Sequence, residues 1–293
     1  MSTAIPLGND PAPGVSPGYW HGVARRLRRD KVSMSCLLVL GLIILAAIFA
    51  PVLTPYDPAI GSALRRLRPV GTPGHILGTD ELGRDMLTRL LYGARLSLVM
   101  GITPVALAFL IGGSLGMLAG FVGGRTNAVI MRSADVIFAF PSILLAIAVA
   151  GILGAGMTNA IVALTIVLTP PIVRVAETAT TQVSNLDFVE AARASGAGSA
   201  TILRIHVLGN VLSPILVYTT SLFSVAVILA SGLSFIGLGA KPPAAEWGLM
   251  LSNLRNAIYS QPLVAALPGA FIFAVSLSFN LLADGLRNAM DVR

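Results

Sequence analysis

The sequence of 293 residues is poor in charge and contains a single cysteine. Only 11% of the residues are charged, whereas 55% are hydrophobic, and the mean hydropathy is +0.83. So few charges cannot cover the surface of a water-soluble domain of this length. The lone Cys36 excludes an intrachain disulfide and a thiolate metal cluster. These shortages indicate a membrane protein.

The sequence also lacks the motifs of an ATPase and of common enzymes. A phosphate-binding loop needs a lysine directly after a glycine, and neither Lys31 nor Lys241 follows one. The histidines, His21, His75 and His206, have neither metal-ligand spacing nor a nucleophile–acid pair nearby. We therefore predict no catalytic residue, no metal site and no cofactor bound by this chain.

Long apolar runs are what the sequence has in abundance. A helix needs about 20 apolar residues to cross a hydrocarbon core of about 30 Å. None of the runs alternates like a barrel strand, and a spanning helix satisfies its own backbone hydrogen bonds. The sequence predicts an all-α, polytopic membrane protein with six transmembrane helices, at 35–53, 96–122, 137–153, 160–175, 211–235 and 264–282.

Basic residues near the ends of the runs predict the orientation. Five of them precede the first run, so the N-terminus is expected in the cytoplasm, and six spans return the C-terminus there. The first external connection is rich in arginine, which disagrees with the rule, although long segments translocate despite their charge. Topology explains most of the net charge of +7 better than a nucleic-acid partner does. The five residues are Arg25, Arg26, Arg28, Arg29 and Lys31.

The connection between the fourth and fifth runs carries a polar pattern. Asp187 and Glu190 would lie in the first turn of a short helix, where negative charge is favourable, and Gly196 would end it. Ser199 is expected to cap a second short helix, with Ile202 on an apolar face that needs a partner. Two short helices at a glycine turn predict a compact knob that fits a groove in another protein.

This loop resembles the EAA loop of the membrane subunits of bacterial binding-protein-dependent ABC importers. The resemblance rests on a Glu-Ala-Ala triplet, a following glycine and a downstream His-Val-Leu-Gly-Asn element, whose Gly209 replaces the usual proline. In that family the loop docks onto the ATPase. The resemblance therefore implies an ATPase-coupling role for Asp187, Glu190, Ala191, Ala192, Gly196, His206 and Leu208.

Further motifs resemble the C-type subunits of the dipeptide, oligopeptide and nickel group. They are G-T-D-E-L-G-R-D at 78–85, D-V-I-F-A-F-P at 135–141, L-S-F-I-G-L-G at 233–239 and A-D-G-L-R at 283–287. The similarity runs from about residue 72 to the C-terminus. The external motif of the group maps onto Gly78, Thr79, Asp80, Gly83, Arg84 and Asp85.

The residues of the 78–85 motif also predict a local structure of their own. Thr79 is expected to be a helix N-cap, with Asp80 and Glu81 in the first turn and Leu82 and Met86 on an apolar face. Such an amphipathic helix would lie at the outer interface with its charged face turned outward. A structural role is expected for it, and contact with a binding protein or partner permease is the alternative.

The resemblance implies a type I ABC importer permease fold in the bacterial inner membrane. The expected partners are a second permease subunit, two ATPase domains that bind ATP and Mg²⁺, an extracytoplasmic solute-binding protein and membrane lipid. Residues 1–32 would be a disordered basic tail, 33–95 the first span with an external amphipathic segment, and 96–293 the permease core with coupling loop 187–208.

Peptides are the expected substrates. Nickel complexes or glutathione, carried by the same family, are the first alternative. A self-sufficient secondary transporter is an alternative from another class, but it would need a coupling-ion site at mid-membrane depth and usually internal repeats. The sequence shows neither feature, and a membrane-embedded enzyme lacks a catalytic constellation.

Overall fold

The computed structural model describes residues 19–290, and the regular elements in that range are all helical. Five helices are long and apolar enough to cross a membrane, and a bent pair makes a sixth candidate span. The prediction of six spans therefore holds if the bent pair counts as one. The helices are α1 (Tyr19–Arg29), α2 (Lys31–Ile48), α3 (Ala50–Leu53), α4 (Met86–Val122), α5 (Gly124–Phe138), α6 (Ser142–Leu153), α7 (Met157–Ser184), α8 (Asp187–Ala194), α9 (Ser199–Thr201), α10 (Leu208–Phe235), α11 (Trp247–Asn253) and α12 (Pro262–Met290).

The third predicted span is the bent pair. Helices α5 and α6 meet at an angle of 91° around Pro141. Proline disfavours a helical conformation at the residue before it and offers no backbone N–H, so the helix stops and restarts there. The single helix predicted over 137–153 is therefore wrong at its start, because residues 137 and 138 belong to α5.

The predicted disorder of the tail is wrong for α1; residues 1–18 lie outside the described part of the chain. Val23 is buried and packs with Leu27 against Leu286, Ala289 and Met290 of α12. The Arg26 Nε donates a hydrogen bond of 2.7 Å to the Ala289 carbonyl oxygen. The apolar face of α1 therefore has a partner, which orders it.

The centre of the bundle is the close packing of α4 against α7. Gly112, Gly116 and Gly120 repeat at intervals of four on α4 and face the α7 backbone. A Cβ atom on Gly116 would lie 2.4 Å from the Val173 carbonyl oxygen. Small residues at this spacing let two helix backbones approach closely within a membrane.

The bundle has two ends, which we name by their contents. The terminal end carries α1 and the last turns of α12, and Gly285 of α12 lies directly against Ser33 at the start of α2. The opposite end carries the connections 54–85 and 236–261, which meet where the Arg89 side chain donates to the Ala244 carbonyl oxygen over 3.3 Å. The loop 187–208 lies at the terminal end.

Candidate functional site

The first part of the 187–208 loop is the helix α8, as predicted. Asp187 and Glu190 occupy its first turn with exposed side chains, where the partial positive charge of the helix N-terminus favours them. Val189 is fully buried in the core cluster that contains Ile202 and Val207. The helix therefore has one face fixed to the bundle and one face turned away from it.

Gly196 ends α8 with a left-handed backbone, as predicted. Its φ is +82°, a conformation that costs an L-residue about 1–2 kcal/mol. The N–H groups of Gly196 and Ala197 donate to the carbonyl oxygens of Arg193 and Ala192, which closes the last turn. A Cβ atom on Gly196 would meet nothing within 4 Å. The glycine is thus required by the turn and not by crowding within this chain.

The second helix of the predicted knob is not separate. Helix α9 continues through a π-helical stretch, Ile202–Val207, directly into α10, and Gly198, not Ser199, is the N-cap residue. The predicted Ser199 cap is therefore wrong. The π-helical spacing of five residues places Ile202 and Val207 on the same buried face. The knob is α8 packed on the extended start of α10.

The outer face of the knob combines apolar and charged side chains. Leu186, Phe188 and Ile205 are 47%, 43% and 65% exposed, beside the exposed charges of Asp187 and Glu190. A shallow cavity of about 430 Å³ is lined by Ala200, Thr201, Arg204 and Ile205. Apolar side chains rimmed by charge are typical of a protein–protein contact surface.

The other residues of the loop assignment lie on this knob. Ala191 is exposed on α8, whereas Ala192 is half-buried against the core. His206 and Leu208 are half-buried, and the His206 ring lies 6.2 Å from the Phe188 ring. The knob thus brings the predicted residues together on one small body.

Two contacts join the knob to the spanning helices. The Arg193 guanidinium lies 5.8 Å from the centroid of the Phe121 ring, at the end of α4. On the other side, the buried Val189, Ile202 and Val207 belong to the same cluster as Val211 and Ile215 of α10. A force on α8 would therefore reach both α4 and α10.

At the opposite end, residues 78–85 do not form the predicted helix. The segment is a series of turns, and α4 begins at Met86 with Asp85, not Thr79, as its N-cap. Gly78 and Gly83 have φ values of +77° and +74°. Cβ atoms there would lie 2.3 Å from the Arg68 carbonyl oxygen and 2.0 Å from that of Ser62. The backbone of 54–85 folds back on itself at both glycines.

Three of the four charged side chains of this segment are buried, those of Asp80, Arg84 and Asp85, so the predicted outward charged face is also wrong. The Asp80 carboxylate accepts a hydrogen bond of 2.6 Å from Arg84 Nε and bonds of 2.9 Å from the Leu82 and Arg84 N–H groups. Arg89 Nε lies 3.2 Å from the same carboxylate, and both arginines are at most 3% exposed. Asp80 is thus the acidic partner that two buried cations share, and Arg84 also pairs with Glu81.

A second pair extends this buried network. The Asp85 carboxylate lies 2.9 Å from His75 Nδ1 and accepts from the N–H and the hydroxyl of Thr88 at 2.8 and 2.7 Å. Thr79 is fully buried, and its hydroxyl accepts a hydrogen bond of 2.9 Å from the Arg68 N–H. The motif residues therefore hold the 54–85 connection as a packed plug over α4.

The structure gives structural roles to two residues outside the predicted site set, Arg89 and Glu246. Arg89 is buried one helical turn after Asp85 and bonds to the carbonyl oxygens of Pro58 and Ala244. Its acidic partner is Asp80, which precedes the helix, so no helical spacing in the sequence signalled the pair. Glu246 is fully buried, accepts from the Ser97 hydroxyl over 3.1 Å and caps α11 through the Gly248 and Leu249 N–H groups. Burial raises the pKa of Glu246 above its ordinary value.

Within residues 19–290, no group of three or more His, Cys, Asp or Glu side chains could hold a metal ion. The acidic residues of the 54–85 connection are instead engaged by arginine, histidine and backbone N–H groups. The chemistry of this end is charge neutralisation and packing.

Two protein-family descriptions and a solved structure match this chain. Residues 112–293 match the family described as binding-protein-dependent transport system inner membrane component, and residues 18–69 match the N-terminal TM domain of oligopeptide transport permease C. A structure of the MetNI methionine ABC transporter in an inward-facing conformation superposes with a TM-score of 0.58, over 71% of this chain and 98% of that chain, at 20% identity. At that identity the likeness shows the fold alone.

Similar proteins over nearly the full length belong to the same family. A glutathione transport system permease protein of Pectobacterium atrosepticum is 43% identical over 93% of this chain and 90% of its own. A di/tripeptide transport system permease protein of Pseudomonas aeruginosa is 41% identical with the same coverage, and a dipeptide transport system permease protein of Alkalihalophilus pseudofirmus is 40% identical over 98% and 95%. The chain therefore belongs to the inner-membrane components of binding-protein-dependent transport systems, as a C-type permease with the type I ABC importer permease fold.

Proposed function

We propose that this chain forms half of the translocation pathway of an ATP-driven peptide importer. Movement of the ATPase would be transmitted to it through the 187–208 loop. The observation that carries the proposal is the knob at the terminal end, whose exposed face combines apolar and charged residues beyond the spans. The relatives are named for dipeptide, di/tripeptide and glutathione transport, and glutathione is itself a peptide. Nickel complexes and a self-sufficient secondary transporter are not favoured.

The proposed assembly supplies what the chain does not encode. A second permease completes the pathway, two ATPase domains bind ATP and Mg²⁺, and a solute-binding protein delivers the peptide from outside; nucleic acid has no part. The chain itself would have no catalytic activity. It would lie in the bacterial inner membrane with both termini and the knob in the cytoplasm.

The packing suggests how the knob would act on the pathway. ATPase closure would push α8, whose contacts with Phe121 and with the α10 cluster pass the force to two spanning helices. Because α4 and α7 are in backbone contact along the glycine row, they would move as one body. Two arrangements of rigid helices, open to one side or the other, are what alternating access requires.

The coupling role is tested by Gly196→Leu in the assembled transporter. We expect membrane insertion to be retained, whereas recovery of the ATPase in a pull-down and uptake of a labelled dipeptide are both lost. Leucine cannot adopt the required φ without a cost of about 1–2 kcal/mol, and its side chain would project from the knob into the space where the ATPase docks. Uptake by the wild-type transporter should also stop when the ATPase is disabled.

Gly154→Leu is the matched control. Gly154 has a similar φ of +88° and equally open surroundings, but it follows α6 near the opposite end. Its ψ of 160° lies in a region that only glycine adopts readily, so leucine should strain the backbone there at least as strongly as at Gly196, yet the ATPase should be retained. If Gly196→Leu keeps wild-type ATPase recovery and uptake, the coupling assignment is wrong.

The proposed orientation is tested by cysteine labelling in a Cys36→Ala background. Leu64, at the opposite end, is 87% exposed, and Ser195 is exposed on the knob. A membrane-impermeant maleimide applied to intact spheroplasts should label Leu64→Cys and should label Ser195→Cys only after lysis. The reverse pattern would invert the topology and exclude ATPase docking at the knob.

A further inference from the structure

Helix α1 presents two chemically different faces. Val23 and Leu27 pack against the last turns of α12, as described above. On the remaining surface, His21, Ala24, Arg25, Arg28 and Arg29 line a shallow cavity of about 270 Å³. Their spacing of three and four residues places them in one stripe along the helix. We name these five residues the basic stripe.

In the part of the chain that the structure describes, the cations of the basic stripe have no acidic partner. Within residues 19–290, Arg28 and Arg29 make no ion pair and no side-chain hydrogen bond, while the side chain of Arg25 contacts only His21. Asp30 is the acidic residue that follows the stripe in the sequence, and its carboxylate is already engaged by Ser33 and the Val32 N–H. The stripe therefore offers guanidinium donors to a ligand outside the chain.

The position of α1 restricts what that ligand can be. One residue separates α1 from α2, a candidate span that begins at Lys31, so the stripe lies at the depth of the lipid headgroups. Its contact with α12 holds it against the bundle through Arg26 and the Ala289 carbonyl oxygen. Guanidinium groups match the geometry of phosphate oxygens, and basic clusters directly beside a span attract anionic lipid.

We propose that the basic stripe is a binding site for the phosphodiester headgroup of an anionic phospholipid. A lipid bound there would contact α1 while its acyl chains lie along α2 and α12. Because Arg26 and Val23 tie α1 to α12, occupancy would stabilise the junction of the first and last spans. The proposal uses no part of the peptide-import function.

The test uses the purified transporter complex in nanodiscs of phosphatidylcholine, with or without phosphatidylglycerol. Lipid retained on the complex is measured by native mass spectrometry, and stability by the midpoint of thermal unfolding. We expect selective retention of phosphatidylglycerol and a higher midpoint in its presence. Arg28→Gln combined with Arg29→Gln should weaken phosphatidylglycerol binding at least about tenfold, since each basic residue near the surface strengthens the binding of anionic lipid about fivefold.

The controls separate the site from general charge and from folding. Arg125→Gln with Arg132→Gln removes the same charge from exposed positions on α5, where the two arginines lie seven residues apart, and should reduce lipid retention far less. Arg28→Lys with Arg29→Lys should keep most of the affinity. The midpoint in pure phosphatidylcholine should be the same for all variants, because the stripe is exposed.

Three results would overturn the proposal. One is equal retention of the two lipids by the wild type, and another is equal loss in the α5 control. The third is a rise in the midpoint caused by inorganic phosphate alone in pure phosphatidylcholine, which would assign the stripe to a soluble anion. Uptake of peptide is not measured in any arm, so failure of the importer assignment cannot affect the outcome.

Discussion

Asp80→Ala is expected to unfold the plug at the opposite end and to prevent assembly of a stable transporter. Its carboxylate is the acidic partner shared by Arg84 and Arg89, which are 3% and 1% exposed. Removing one partner from a buried ion network leaves uncompensated charge and typically costs about 3–5 kcal/mol. The expected results are loss of the detergent-extracted complex, or a much lower unfolding midpoint, and rapid proteolysis within 54–85.

Asp57→Ala is the control in the same connection. Asp57 is exposed, and its side chain accepts one hydrogen bond of 2.7 Å from the Ala59 N–H. Losing one exposed bond should cost about 1 kcal/mol or less. Glu81→Gln should lower the unfolding midpoint by less than Asp80→Ala does. Among the described residues Glu81 pairs with Arg84 alone, and its side chain is 23% exposed. Wild-type stability of Asp80→Ala would show that the network does not hold the plug.

The features of the fold that the sequence predicted are those set by local chemistry. Apolar runs identified the spanning helices, because a helix satisfies its own backbone and needs only length and hydrophobicity to cross a membrane. Acidic residues in the first turn and a glycine at the end located α8 correctly, since both signals act within one helical turn. The prediction of α1 failed because its order depends on contacts with α12, more than 250 residues away.

The 78–85 segment shows why local signals can mislead. Thr79 followed by two acidic residues is a valid helix start, but Gly78 and Gly83 are pressed against the backbone of earlier residues. The arginines then find partners as distant as Ala244, so charges that appeared solvent-facing are buried. Sequence spacing alone contains no information on such pairings. The glycine row of α4 is a different case. Its repeat of four is visible in the sequence, and such a repeat indicates close packing of one membrane helix against another.

The predicted third span was wrong at its start, and the reason was visible in the sequence. Pro141 removes a backbone donor and restricts Phe140, and together these explain the 91° bend. The polar residues of α5, including Arg125 and Arg132, mark it as the interfacial half of the pair. Hydropathy windows average over this boundary, so the run at 137–153 was assigned to one helix.

Gly116→Leu is expected to separate α4 from α7 and to abolish folding of the core. A Cβ atom there would lie 2.4 Å from the Val173 carbonyl oxygen and 2.6 Å from the Ala176 Cβ. Overpacking a core typically costs about 1–3 kcal/mol, and the cost should exceed that range here because the clash is with backbone atoms that cannot change rotamer. Leucine forms helix better than glycine by less than about 1 kcal/mol, which is too small to compensate.

Gly41→Leu separates the packing effect from helix propensity. Gly41 lies within α2, and a Cβ atom there would meet nothing within 4 Å. It should gain helix propensity without a clash and remain at or above wild-type stability. The measurement is the unfolding midpoint and yield of the purified complex for both variants, with Gly116→Ala as an intermediate step. Equal midpoints for Gly116→Leu and Gly41→Leu would mean that α4 and α7 are not in backbone contact, and that they cannot transmit motion from the knob as one body.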